Sequence, residues 1–141
     1  MKAVFDTNIF VSAFAIPGGQ AERAIDLVID VQVSLLISKE IIHEVLGVLA
    51  QEFSKGAEEL SRTAVFLSEL AEVITPREKI AVLGDEPDNR ILECAATGHA
   101  DVIVTGDRAM PRLKKYRAIR ILSLRQFLDE MSTPDLGPAN Y

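Results

Sequence analysis

The sequence predicts an α/β protein: a single domain of three layers, α/β/α, with a central parallel sheet covered by helices on both faces. Three observations predict it. Short, apolar, β-prone runs alternate with segments whose apolar residues recur at helical spacing, a rhythm that builds a parallel sheet through right-handed crossovers. The 141 residues are enough for one hydrophobic core and too few for two domains of ordinary size. Apolar residues at 48% against 26% charged give a chain that collapses, and no repeat or low-complexity segment interrupts it.

The elements follow in order. Lys2 to Phe5 is a short strand that ends in Asp6-Thr7-Asn8, residues that favour turns and helix caps. Pro17-Gly18-Gly19 is a breaker, and Ala21, Ala24, Ile25, Leu27, Val28 and Ile29 then carry a helical pattern. Val33 to Ile37 reads as a second buried strand. Ser38 is a good N-cap for a helix reaching about Phe53, whose apolar face is Ile41, Ile42, Val45, Leu46 and Leu49, with Glu44 at its edge beside Val48. After Gly56 a helix runs from about Ala57 to Ala71, and a strand is expected at Ile80 to Leu83. The polar run Gly84-Asp85-Glu86-Pro87-Asp88-Asn89 opens a helix through Ala96, closed by Gly98. Val102 to Val104 is a strand ending in Thr105-Gly106-Asp107; a short basic helix, a strand at Ile119 to Leu122 and a helix from Ser123 to Met131 complete the domain. The domain is set at residues 1–131, and residues 132–141, with two prolines and a glycine, read as a loose tail.

Asp6, Asn8 and Ser12 interrupt the first apolar stretch, and neither a basic leader nor a cleavage site accompanies it, so neither a signal peptide nor a membrane span is expected, and a cytoplasmic protein is. The single cysteine, Cys94, lies among Ile91, Leu92, Ala95 and Ala96 and reads as core packing. The net charge of −6 is unevenly distributed. Residues 108–125 carry Arg108, Arg112, Lys114, Lys115, Arg117, Arg120 and Arg125 and no acid, whereas residues 1–107 carry 18 acids against 8 bases.

The chemistry gathers where a doubly wound sheet binds ligands, outside the carboxyl ends of strands near the reversal of strand order. Asp6 and Asp107 both follow strands. If the first and fourth strands are neighbours there, the two carboxylates face one crevice, with Asp88 joining from the start of its helix and Glu44 from its helix edge. Taken singly, each aspartate has a plain alternative as a helix or turn cap, and Glu44 as a solvated edge residue; their joint placement carries the argument. Four acids in one small volume repel one another unless a cation compensates. The donors are all oxygens, and the chain offers only His43, His99 and one cysteine besides, so magnesium or manganese is favoured over zinc. Such an ion activates water for attack on a phosphodiester without a protein nucleophile. His43 and His99 read as surface or packing residues. Arg108, Arg112 and Lys115, at i, i+4 and i+7, share one face of the expected basic helix and would guide phosphates toward the metal; a solvated face is the alternative.

The run Val4-Phe5-Asp6-Thr7-Asn8-Ile9-Phe10-Val11-Ser12-Ala13 resembles the opening of a PIN domain. Ser38-Lys39-Glu40-Ile41-Ile42-His43-Glu44-Val45 is similar to that family's second motif, Asp85-Glu86-Pro87-Asp88-Asn89 with Leu92-Glu93 to its third, and Val104-Thr105-Gly106-Asp107 to its fourth. The resemblance covers residues 2 to about 130 and is greatest to bacterial and archaeal toxins of toxin-antitoxin pairs. It implies a PIN-like fold and endonucleolytic cleavage of RNA that leaves a 5'-phosphate and a 3'-hydroxyl. It also implies that Asp6, Glu44, Asp88 and Asp107 bind the metal and carry catalysis, that Asn8 and Thr105 support them, and that the protein forms a homodimer with a small antitoxin as partner. Asp85 and Glu93 match less decisive positions.

Two other readings stand beside this one. The first is a phosphatase resembling the haloacid dehalogenase superfamily, from Asp6 and Ser38 at strand ends, Lys79 before the strand expected at Ile80, and Gly84-Asp85 after it. Against it, Asn8 replaces an acid, Lys79 sits too close to its strand, and Asp107 is left without a role. The second is a non-catalytic PIN-type module that binds RNA or protein.

Overall fold

The computed structural model describes residues 1–106 and 113–132. Strands β1 (Lys2–Phe5), β2 (Ser34–Ile37), β3 (Glu72–Val73), β4 (Val102–Thr105), β5 (Lys115–Tyr116) and β6 (Ile119–Ser123) form one sheet in the order β3-β2-β1-β4-β6-β5. The helices are α1 (Thr7–Ala15), α2 (Gln20–Ile29), α3 (Lys39–Glu52), α4 (Ala57–Leu70), α5 (Glu86–Gly98) and α6 (Leu124–Ser132). All strand pairs are parallel except β5 with β6. The chain winds from β1 outward to β3 and then returns to lay β4 on the other side of β1. The strand order therefore reverses between β1 and β4, which is the neighbour relation the sequence argument required.

Two contacts assign the faces. Phe5 packs against Phe10 of α1 and Phe127 of α6, with ring centroids 5.9 Å and 5.7 Å apart. A Cβ on Gly98 at the end of α5 would lie 2.6 Å from the side chain of Leu36. Val4 pairs in register with Leu36 and so shares its face, whereas Phe5 points the other way. Hence α1 and α6 cover one face of the sheet and α5 the other. Residues Ala3 to Phe5 and Val102 to Val104 are buried without alternation, as strands covered on both sides should be. Gly98 is required for the close approach of α5 to β2. Contrary to the expectation from the sequence, it is not the residue that closes the helix; His99 is, in the left-handed conformation at φ 55.

The strand expected at Ile80 to Leu83 is absent, and β3 is instead the two-residue Glu72–Val73. Residues 77–83 run along α5, and side chains of that helix take the place of a neighbouring strand. The amides of Leu83, Ile80 and Arg77 donate to Asn89 Oδ1 at 2.9 Å, Glu93 Oε2 at 2.8 Å and Thr97 Oγ1 at 3.0 Å. Asn89, Glu93 and Thr97 are four residues apart and so lie on one helical face. The carbonyl of Leu83 accepts from Asn89 Nδ2 and that of Ile80 from Arg90 Nη2. The apolar run was a true burial signal for Ile80, but its backbone polar groups are met by side chains and not by a sheet. With no strand after it, Lys79 loses the setting on which the phosphatase resemblance rested.

Two further differences concern the last third. Lys115 lies in β5, on the sheet edge, so it is not on a helical face with Arg108 and Arg112, which lie outside the described residues. A two-residue turn, with Arg117 at φ 56, returns the chain antiparallel into β6. Helix α6 is opened by a reciprocal cap: Ser123 Oγ accepts from the Gln126 amide at 3.1 Å, and Gln126 Oε1 accepts from the Ser123 amide at 2.9 Å. Among the described residues no helix is long and apolar enough to cross a membrane.

Candidate functional site

Asp6 occupies the junction of β1 and α1. Its amide continues the sheet by donating to the Val104 carbonyl at 3.0 Å, and its side chain caps the helix, Oδ1 accepting from the Ile9 amide at 3.1 Å. Oδ2 accepts from the Thr105 hydroxyl and from the Gly106 amide at 3.2 Å. The carboxylate is thus 3% exposed, held by donors from both β1–α1 and the end of β4, and placed at the positive end of α1. Thr105 is fully buried, and its hydroxyl touches Asp6.

A cleft of about 120 Å³ opens beside Asp6, lined by Thr7 and Asn8 of α1, Glu44, Val48 and Glu52 of α3, and Asp85, Pro87 and Asp88 at the start of α5. The residues of α3 stand four apart, so they form one stripe of that helix. The adjacent stripe of Ile41, Val45 and Leu49 is buried and fixes its orientation. Ser38 anchors α3, its hydroxyl accepting from the Ile41 amide at 3.3 Å. Pro87 in the first turn of α5 has a preset φ and no amide to satisfy, and Asp88 follows it at 8% exposure.

Of the residues singled out in the sequence, the cleft brings together Asp6, Asn8, Glu44, Asp85 and Asp88. Glu93 is elsewhere: buried, bonded to the Ile80 amide and paired with Arg90 Nη2 at 2.8 Å, it holds residues 77–83 against α5. Asp107, Arg108 and Arg112 lie outside the described residues. Glu52 was missed; its spacing of eight from Glu44 on a helix already assigned was the available signal. Arg90 was missed too. It lines a recess that shares Thr7, Glu44 and Pro87 with the cleft and adds Glu40, Ile41 and Glu86.

Among the described residues no three His, Cys, Asp or Glu side chains form a group that could hold a metal ion. The lining nevertheless has the donor chemistry of a hard cation, carboxylate oxygens without nitrogen or sulfur ligands. His43 and His99 are exposed. The Cys94 thiol is pushed up to about 12 by burial, with the Glu40 carboxylate adding to the effect, and so stays protonated and inert.

A family model described as the PIN domain matches residues 2–109. An uncharacterized protein of Methanocaldococcus jannaschii is similar, with 28% identity over 142 residues covering 92% of this chain and 91% of its own length. The crystal structure of VapBC2 from Rickettsia felis bound to a DNA fragment from their promoter is also similar, with a TM-score of 0.62 and 18% identity over 87% of this chain and 98% of that one. At that identity the likeness is one of fold.

Proposed function

The chain belongs to the PIN domain family, whose members are generally nucleases, and from that premise we propose that it is a magnesium- or manganese-dependent endoribonuclease acting as the toxin of a toxin-antitoxin pair. The observation that carries the proposal is that acids from three separate elements, Asp6, Glu44 and Asp88, line one cleft beside the carboxyl ends of β1 and β4. The toxin assignment rests on the motif resemblance, and the likeness in fold to VapBC2 accords with it.

In this reading Asp6, Glu44, Asp88 and Asp107 hold the ion and carry catalysis. When bound, the ion supplies an activated water and offsets charge on the phosphodiester. The protein's own part is orientation. The Thr105 hydroxyl and the amides of Ile9 and Gly106 fix the Asp6 carboxylate in place, so that it need not reorganise during the reaction. Glu44, half-buried on α3, has room to adjust. Asn8, exposed and lining the cleft, supports the metal-binding acids from the start of α1. Arg108, Arg112 and Lys115 would supply the positive footprint an acidic protein needs to hold RNA. A homodimer, a small antitoxin and a cytoplasmic setting belong to the same reading, as does a nuclease domain of residues 1–131 followed by a tail.

The test is incubation with single-stranded and structured RNAs in magnesium, manganese and chelator, with Asp107→Asn as control. Cleavage to 5'-phosphate ends, lost in chelator and in the variant, supports the proposal. No cleavage of any RNA with either metal would overturn it, and RNA binding that survives chelator without cleavage would assign a binding module instead.

A further inference from the structure

The cleft and its recess are lined by seven acids, five in the cleft (Asp6, Glu44, Glu52, Asp85 and Asp88) and two more, Glu40 and Glu86, in the recess. Among the described lining residues Arg90 is the one base. It is fixed in place: its side chain is 14% exposed, Nη2 bonds to Glu93 Oε2 at 2.8 Å and to the Ile80 carbonyl at 3.0 Å, and Nη1 reaches Glu86 Oε1 at 3.2 Å. Glu93, 5% exposed, holds the guanidinium from the interior. Nε is buried with no acceptor. Two carboxylates and one carbonyl thus hold the two Nη atoms, while Nε is left without a partner. The group lines the recess that shares Thr7, Glu44 and Pro87 with the cleft, and among the described residues every other ionisable side chain lining either is an acid.

We infer that Arg90, oriented by Glu93, is a built-in counter-cation: a positioning residue that lets the carboxylates of the cleft gather before a divalent ion arrives. The inference rests on the reading of the cleft as a metal site. A fixed positive charge weakens the repulsion among the acids in the metal-free protein and, for the same reason, lowers the affinity of the cleft for a divalent cation. Removing the charge must therefore tighten metal binding while weakening the metal-free fold. Loss of a merely structural clamp would weaken both.

The test uses the full chain and Mn²⁺ alone, followed by calorimetry and by the paramagnetic signal of the free ion, with melts in chelator at low and high salt. Arg90→Gln should bind Mn²⁺ about three- to tenfold more tightly than wild type. It should also melt lower in chelator, with part of the loss restored by 0.5 M salt, which screens the carboxylates. Arg90→Lys keeps the charge and should stay within about twofold of wild type in Mn²⁺ affinity. Glu93→Gln, which removes a negative charge and frees the guanidinium, should bind Mn²⁺ more weakly. Weaker or unchanged Mn²⁺ binding by Arg90→Gln, or a loss of stability that salt does not restore, overturns the inference. Should Arg90→Gln be too unstable to titrate, recovery of its fold by salt decides the matter. Absence of Mn²⁺ binding by the wild type would instead overturn the metal reading of the cleft, and the melts in chelator would still judge Arg90.

Discussion

Replacing Asp6 by Asn sets two effects against each other. Neutralising one acid in a crowded cleft relieves repulsion; a pair of unit charges about 8 Å apart at an effective dielectric of about 40 repels by roughly 1 kcal/mol. Against this, Asp6 receives donors from Ile9, Thr105 and Gly106 among the described residues. Asn can keep the helix cap through its oxygen, but its amide nitrogen then faces the Gly106 N–H and requires the buried Thr105 hydroxyl to turn and accept. One charge-assisted bond lost and one hydroxyl rearranged cost about 2–3 kcal/mol. The cost exceeds the relief, and a net destabilisation of about 1–2 kcal/mol remains. With an unfolding entropy of about 2.1 cal/mol/K per residue over 141 residues, that lowers the melting temperature by about 3–7 °C. Calorimetry and urea denaturation in chelator measure it, with Thr105→Val in both backgrounds as a double-mutant cycle. A metal-free Asp6→Asn that melts at or above wild type, or a Thr105 contribution unaffected by Asp6→Asn, would show that repulsion outweighs the donor set.

Other expectations follow from single residues. The raised Cys94 pKa means that the unfolded chain releases this proton near pH 9 while the native one holds it to about 12. Its contribution to stability is therefore full below pH 9 and lost across pH 9–12, and wild type should lose more stability over that window than Cys94→Ala in parallel urea titrations. Asn89→Ala strands the amide and carbonyl of Leu83 and should cost about 2–3 kcal/mol, with hydrogen exchange accelerated at Leu83 ahead of global unfolding; uniform acceleration would contradict a local role. Phe5→Ala removes the ring between α1 and α6 and should cost about 3–5 kcal/mol in denaturation. If Lys115 contacts a phosphate from β5, Lys115→Ala should reduce the slope of log affinity for RNA against log salt by about 1, and an unchanged slope would remove it from the interface.

The sequence was most legible where one signal had one structural outcome. Buried parallel strands are short runs of consecutive apolar residues, so β1, β2 and β4 could be placed to within a residue or two, and their neighbour relation put Asp6 beside the end of β4. It was least legible where different structures share a pattern. Ile80 to Leu83 looks like a strand because burial selects apolar residues whichever partner meets the backbone; the partner, Asn89 with Glu93, lay in a motif whose polar residues invited a functional reading. Lys115 shares helical spacing with Arg108 and Arg112, but spacing alone could not show that Lys115 itself begins the strand that turns back into a hairpin. Arg90 could not have been found from spacing, because its place depends on how α5 and residues 77–83 lie together.

The two ends of the sheet set a limit on how chains can associate through it. β3 and β5 are both two residues long, with Lys115 on one and the exposed Glu72 on the other. A strand from another molecule would find little unpaired backbone at either margin of the described sheet, and a charged residue at each. Growth of the sheet from molecule to molecule, the usual route to fibrils in α/β proteins with open margins, is thereby discouraged.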